Sequence, residues 1–299
     1  MDNQPKLDDR VYHLRHGHYL SVPEQPVVLH VMDPQDDTPF HTHDFNEIAI
    51  VLRGTGIHYL KQESWPVSAG DVFVLEGSLP HAYRNVTDFA VANLIYMPEY
   101  LAPLFAPLRS LPGFHTLFIL EPAYRQQHNF RSRLHLTGGD FVQAERFVDA
   151  IRREQEMAQP GVHPAVVHYF MLLVIHLCRC YEQHDNSDAA SLIRLSNVIS
   201  YLERCYMEDI RISDLARKAC LSKGAFHRAF RKATGVSPIA YLNQLRIRHA
   251  CNYLRTSDKS ITDIGFEVGF QDSNYFCRQF RKIMTITPSQ YRSIYRKEI

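Results

Sequence analysis

The C-terminal third of the chain states one pattern twice. Phe226, Arg228, Phe230, Arg231, Lys232, Ser237, Pro238 and Tyr241 recur fifty residues later as Phe276, Arg278, Phe280, Arg281, Lys282, Thr287, Pro288 and Tyr291. Matches at one fixed offset mark a duplicated structural unit. Each copy opens with a short apolar segment, Leu215, Ala216 and Ala219 or Ile264, Gly265 and Val268. A tight break follows, at Ala219-Cys220-Leu221 and at Val268-Gly269-Phe270. Next comes a helix with phenylalanines at i,i+4 on its buried stripe. Two short helices around a brief turn form a helix-turn-helix. Ser213 and Asp214 predict the start of the first leading helix, and Ser260 or Thr262 that of the second. Ser237-Pro238 and Thr287-Pro288 each set a capping hydroxyl before a proline at a first helical position.

The second helix of each copy turns polar groups outward. They are Lys223, Gly224, His227, Arg228 and Arg231 in one, and Asp272, Ser273, Asn274, Arg278 and Arg281 in the other. Arginine can take guanine bidentately and asparagine adenine, while other basic groups hold phosphates. The helix between the copies, Pro238 to Leu254, sets their spacing through apolar Tyr241, Leu242, Leu245, Ala250 and Leu254. At a separation of one DNA turn both outer helices enter successive major grooves. The alternative is a helical bundle whose basic groups are only a solvated face, and charge partition argues against it. Residues 193–299 carry 19 Lys plus Arg against 9 Asp plus Glu, whereas residues 1–192 carry 14 against 23. A near-neutral total thus joins a basic domain to an acidic one, a footprint of nucleic-acid binding.

The repeat closes with Gly265-Phe266-Glu267-Val268-Gly269-Phe270 and Asp272-Ser273-Asn274-Tyr275-Phe276. With these motifs it resembles the DNA-binding domain of the AraC/XylS family of transcription regulators, from Ile193 to Ile299. Gly265 stands where that family usually has alanine, which predicts a helix looser by about 1 kcal/mol.

At 299 residues the chain has room for two domains, each with its own core. Residues 1–183 are expected to bind an effector and dimerise, 184–191 to link, and 192–299 to bind DNA. The linker reading rests on polar His184-Asp185-Asn186-Ser187-Asp188-Ala189-Ala190-Ser191. Met1-Asp2-Asn3-Gln4-Pro5 offers no basic region followed by an apolar run, so no signal peptide and a cytoplasmic location are expected. The longest apolar run, Ala165–Cys180, contains His168, His176 and Arg179 and reads as too short and too polar to span a bilayer. The six cysteines lack zinc-ribbon spacing and read as reduced, mostly buried thiols, with a redox switch as the alternative. No Ser/His/Asp arrangement, phosphate loop or dinucleotide fingerprint is present in the sequence, so no enzyme activity is expected.

Residues 1 to about 25 read as a polar arm with a first strand. Short β-runs follow at Val27–Met32, Glu47–Leu52, Gly56–Lys61, Asp71–Leu75 and Val91–Tyr96, with Gly54-Thr55-Gly56 and Ser68-Ala69-Gly70-Asp71 as turns. This spacing predicts a sandwich or small barrel. Alternation puts His41 and His43 on one side of a strand with Glu47 on the next inward step, while His81 comes from a later strand. The pattern resembles the two cupin motifs, the second departing at Glu76 and Gly77, and AraC/XylS members commonly carry a cupin-like N-terminal barrel. The expected class is therefore α+β, a cupin-like barrel with a helical pair joined to an all-α double helix-turn-helix domain.

His41, His43, Glu47 and His81 could hold a divalent metal such as Zn²⁺, Fe²⁺, Mn²⁺ or Ni²⁺, as in cupin enzymes. They could equally line a metal-free effector pocket, as in sensors of the family, or be structural histidines. No cofactor is required by the sensor reading. A sugar needs hydroxyl partners and an aromatic face. His41, His43, Glu47, His58, Trp65, His81, Tyr83 and Asn93 could supply both, although Trp65, the only tryptophan, could equally be a core aromatic. Within the family, His41 to His58 looks most like the rhamnose-responsive activators, which implies a monosaccharide effector, an activator and RNA polymerase as a partner.

Pro98 to Gly139, with its five prolines, reads as irregular with short helical pieces. Two helices follow, Asp140–Met157 with a seam of Ala144, Val148, Ile151 and Gln155, and Pro164–Gln183 with Val166, Phe170, Leu173 and Leu177. This pair is expected to make a homodimer, the alternative being that it covers one end of the barrel.

Overall fold

In the computed structural model residues 11–60, 63–121, 134–183 and 190–296 are described. The chain divides into two compact units, Met1–Ala190 and Ser191–Ile299. The first ten residues of the arm and the expected linker lie outside the described residues, except for Ala190 and Ser191, which open a helix.

The first unit is built on one eight-stranded sheet: β1 (Tyr12–Leu14), β2 (Val27–Met32), β3 (His41–His43), β4 (Asn46–Leu60), β5 (Glu63–Ser68), β6 (Asp71–Glu76), β7 (His81–Tyr96) and β8 (Leu134–His135). The order is β1-β3-β7-β4-β6-β8, with β2 also on β7 and β5 also on β4. Its two ends do not pair with each other among the described residues, so the expected barrel is an open, rolled sheet. The two long strands do the rolling, because their ladder is interrupted by register shifts between Val51 and Ile57. Gly54-Thr55-Gly56 is therefore a bulge inside β4 and not a turn between strands. Gly54 has φ +78°, and a Cβ there would sit 2.1 Å from the Asp88 carbonyl oxygen. β5 has no counterpart in the sequence reading, since Pro66 argues against a strand; it pairs with β4 and tolerates the proline at an edge.

Alternation splits the sheet into two faces. Ala49, Val51, Val67, Phe73, Leu75, Tyr83, Phe89 and Val91 form an inner core. Ile48, Ile50, Val72, Val74 and Leu94, equally buried, alternate with them. Tyr96 meets Phe170 at 5.3 Å between rings, which brings a helical layer onto the sheet.

That layer begins with α1 (Pro98–Phe105) and α2 (Pro112–His115), the latter continuing as a π-helical turn, which are the short helical pieces expected here; residues 122–133 lie outside the described residues. The long pair α3 (Gly138–Met157) and α4 (Val162–Gln183) follows. The α3 seam is buried at Ala144, Val148 and Ile151. Gln155 completes it by binding Leu29, accepting from its N–H at 2.8 Å and donating to its carbonyl at 3.1 Å, which satisfies β2 where it has no strand neighbour. Among the described residues α4, over Val162–Tyr181, is the one helix long and apolar enough to cross a membrane, with mean hydropathy 1.4. That corrects the reading of this run as too short and too polar. In the fold its Phe170, Leu173, Val174 and Leu177 are fully buried core.

The second unit is all helical: α5 (Ala190–Cys205), α6 (Ile212–Lys218), α7 (Lys223–Thr234), α8 (Pro238–Thr256), α9 (Ile261–Glu267), α10 (Ser273–Met284) and α11 (Pro288–Tyr295). The duplication is exact in length for α7 and α10, which start and end fifty residues apart. Phe226 and Phe230, and Phe276 and Phe280, are fully buried. Side-chain caps sit at Ser222, Ser237, Ser260, Asp272 and Thr287, the last in a capping box with Gln290. α6 instead begins at Ile212 after Arg211, with no side-chain cap, so Ser213 and Asp214 fall inside its first turn. The two breaks turn through left-handed residues, Cys220 at φ +55° and Gly269 at φ +97°.

Gly265 has a packing cause. A Cβ there would meet the Phe276 ring at 2.9 Å. Glycine lets α9 and α10 approach across that ring, which counterweighs the helix propensity it gives up.

Candidate effector site and nucleic-acid interface

The inner face of the sheet gathers most of the polar residues singled out above. β3 carries His41 and His43, β4 carries Glu47 and His58, β5 carries Trp65, and β7 carries His81, Tyr83 and Asn93. Register joins them: His41 pairs with His81, and His58 with both Trp65 and Tyr83. Ring centroids trace a continuous path, His41 to His81 at 4.2 Å, His43 to His81 at 5.2 Å, His81 to His58 at 5.8 Å and His58 to Trp65 at 5.0 Å. Asn93 follows Val91 by two residues on β7 and so shares that face. His43, Glu47, His58, His81 and Tyr83 are buried, whereas His41, Trp65 and Asn93 are half-buried.

Three imidazoles are oriented by the backbone. His41 Nδ1 faces the Pro39 carbonyl at 3.1 Å, His43 Nδ1 that of Phe45 at 2.7 Å and His81 Nδ1 that of Leu79 at 3.0 Å. A carbonyl only accepts, so each ring donates from Nδ1, and a neutral ring keeps its lone pair on Nε2. His43 Nε2 lies 3.6 Å from Glu47 Oε2. Donor atoms of His43, Glu47 and His81 all lie within 4.8 Å of one another. His41 falls outside that group, so of the four residues with possible ligand chemistry the fold brings three together.

Burial governs their charge. Desolvation lowers the His43 pKa to about 4 and that of His81 well below its ordinary value, and it lowers His41 as well. The same desolvation pushes Glu47 up to about 7. Near neutrality the site thus holds neutral imidazoles and a carboxyl that burial inclines to keep its proton.

Three buried polar atoms here have no hydrogen-bond partner among the described residues: His43 Nε2, Trp65 Nε1 and Asn93 Oδ1. Two accept and one donates. Phe45, which the sequence reading passed over, stacks on His43 at 4.2 Å and 8°. The described part of the arm packs from the other side. β1 runs parallel to β3, His16 donates its backbone N–H to Asp44 at 2.5 Å, and Leu20 is buried in a cluster with Phe45.

In the second unit α7 exposes Lys223, Gly224, His227, Arg228 and Arg231. α10 exposes Asn274, Arg278 and Arg281, with Ser273 half-buried. Asp272 is exposed, but its carboxylate caps α10 by accepting from the Tyr275 N–H at 2.5 Å. Arg278 lies over the Tyr275 ring at 5.8 Å. Each helix presents basic groups opposite a stripe of buried phenylalanines, a form suited to a major groove.

A sheet with a polar inner face, followed by a paired helix-turn-helix unit, defines a ligand-responsive DNA-binding regulator. The family described as an AraC-like ligand binding domain matches residues 25–159, and that described as a helix-turn-helix domain matches residues 215–294. The HTH-type transcriptional activator RhaR of Mannheimia succiniciproducens is 27% identical over 288 residues, which is 96% of this chain and 99% of the relative. RhaR of Escherichia coli strain K12 is 30% identical over 277 residues, 92% of this chain and 94% of the relative. The DNA-binding domain of AdpA, solved with a target DNA, matches 34% of this chain and 92% of its own length at 31% identity, with a TM-score of 0.33. The chain belongs to the AraC family of transcription regulators, which pair a ligand-binding domain with a DNA-binding one.

The shifted groups set a pH profile for stability in metal-free protein. Glu47 prefers its proton in the fold, so stability is lost as pH rises from about 4.5 through about 7, at a cost of about 3 kcal/mol. His43 refuses its proton in the fold, so stability is lost as pH falls from 6.5 towards about 4. Glu47→Gln should flatten the alkaline limb and leave the acid limb. Unfolding midpoints between pH 4 and pH 8.5, with chelator, would check this; an unchanged alkaline limb contradicts the assignment.

Proposed function

We propose that the chain is a cytoplasmic transcription activator that binds a monosaccharide on the inner face of its sheet and double-stranded DNA through α7 and α10. The observation that carries the effector reading is the trio His43 Nε2, Trp65 Nε1 and Asn93 Oδ1, buried with no partner among the described residues. Leaving such a group unsatisfied costs about 1–3 kcal/mol. A ligand hydroxyl both donates and accepts, so one polyol can serve two acceptors and an indole N–H together. His41, Glu47, His58, His81 and Tyr83 complete the lining, with the Trp65 ring as the apolar wall. The activator reading takes support from the relatives' names. In this reading a homodimer forms through α3 and α4, RNA polymerase is the partner at the promoter, and Lys223, His227, Arg228, Arg231, Asn274, Arg278 and Arg281 meet DNA. Effector binding must favour the DNA-competent state by differential affinity.

A second reading draws support from the oriented imidazoles. Nδ1 held by a carbonyl is the arrangement that aims Nε2 at a metal. His43, Glu47 and His81 fit a divalent transition ion in donor type and separation. Such an ion would act as a Lewis acid toward the hydroxyl oxygens of the effector.

Thermal unfolding of the whole protein against a panel of sugars, with and without chelator, separates the two. A ligand at 100 times its Kd adds about 2.7 kcal/mol. A selective upward shift that survives chelator supports the metal-free pocket; a shift abolished by chelator supports the metal reading. No shift from any sugar in either set contradicts the monosaccharide reading.

On DNA selected by the protein from a random pool, Arg228→Ala and Arg278→Ala should each cost about 1–3 kcal/mol and relax preference at one position. Binding assays on single-base variants of the selected site would show it. An equal loss on every sequence would assign these arginines to phosphates.

A further inference from the structure

Away from the inner face, the helical layer of the first unit brings together three other potential ligands. His176 and Cys180 lie one turn apart on α4, so their side chains share a face. Asp140 stands in the first turn of α3. Donor atoms of the three all lie within 4.8 Å of one another. We propose that Asp140, His176 and Cys180 form a second metal site, for Zn²⁺ or a similar borderline-soft divalent cation, that ties the start of α3 to α4.

The donor set argues for the ion class. A thiolate, an imidazole and a carboxylate suit zinc and its chemical neighbours, whereas magnesium and calcium take oxygen ligands. His176 Nε2 faces the Asp140 backbone carbonyl at 2.8 Å, which must receive its N–H, so Nδ1 is the nitrogen that can ligate. Cys180 Sγ lies 3.8 Å from Nδ1 and 3.6 Å from Nε2, against the face of the ring, so joint ligation turns the thiol or the ring toward a shared ion.

Exposure fits a site loaded from solvent. Cys180 is 4% exposed, His176 half-buried and Asp140 exposed, so sulfur forms the floor and the carboxylate the mouth. In the metal-free protein the Asp140 carboxylate accepts a hydrogen bond from the Cys180 thiol. Binding replaces the thiol proton with the metal and releases that proton to solvent, with no change in oxidation state. Three protein ligands leave a fourth position for water.

Cobalt(II) gives a direct test, because only a thiolate ligand produces an intense sulfur-to-cobalt charge-transfer absorption. The site at His43, Glu47 and His81 has no thiol and is silent in that band. Full-length protein, kept reduced with a phosphine, is titrated with cobalt(II) and then with zinc. The band should rise to saturation, near one cobalt per chain once the inner-face site is removed in His81→Ala, and be displaced by zinc. It should be lost in Cys180→Ser and His176→Ala, weaken in Asp140→Ala, and persist in Cys178→Ser and His81→Ala. Absence of the band in the wild-type protein overturns the proposal, and so does its persistence in Cys180→Ser. Circular dichroism of each variant confirms that a lost band is not a lost fold.

Discussion

Desolvation of His43, Glu47 and His81 is the constraint around which the first unit is arranged. A sheet core gains most from apolar contacts, and ionisable groups taken out of water cost it stability. This fold meets that cost in two ways. It keeps the imidazoles neutral, each with Nδ1–H bound to a carbonyl two residues away, and it raises Glu47 until the carboxyl can hold a proton. Among the described residues His43 Nε2, Trp65 Nε1 and Asn93 Oδ1 remain without a hydrogen-bond partner. A binding site has that character, ordered in advance and unsatisfied by its own chain.

The second unit solves a different problem, presenting the same helix twice. Buried phenylalanine pairs hold α7 and α10 while equivalent basic positions stay exposed. Local differences are instructive. The left-handed turn residue is Cys220 in one copy and Gly269 in the other. At Gly269 a Cβ would lie 2.8 Å from Met207 backbone atoms, so the second turn is pressed by another segment and requires glycine. The cap is Ser222 in one copy and Asp272 in the other, which places a negative charge at the start of α10. The two copies therefore differ in the charge at the start of the outer helix.

Much of this was legible in the sequence because it is local. Fixed-offset repetition gave both helix-turn-helix motifs, and alternation placed His41, His43 and Glu47. What the sequence could not show depends on partners distant in the chain. β5 was hidden by Pro66, whose tolerance depends on an edge position. The Gly54 bulge looked like a turn because glycine signals both, and only the approach of Asp88 distinguishes them. The His176-x3-Cys180 spacing was readable, but Asp140 reaches it from another helix. The open ends of the sheet depend on strand lengths that local pattern does not determine.

In the function proposed above, the polar inner face binds the effector that governs DNA affinity. Trp65, the only tryptophan in the chain, stands in that face beside His58 and serves as an internal reporter. Its emission should be followed while effector is added to protein mixed with labelled operator, reading DNA anisotropy in the same cuvette. The account predicts that both signals change along one saturation curve, and that Glu47→Gln and His81→Ala shift that curve to higher effector concentration together. DNA affinity that responds to effector while Trp65 emission stays constant would contradict it, because the effector would then bind elsewhere.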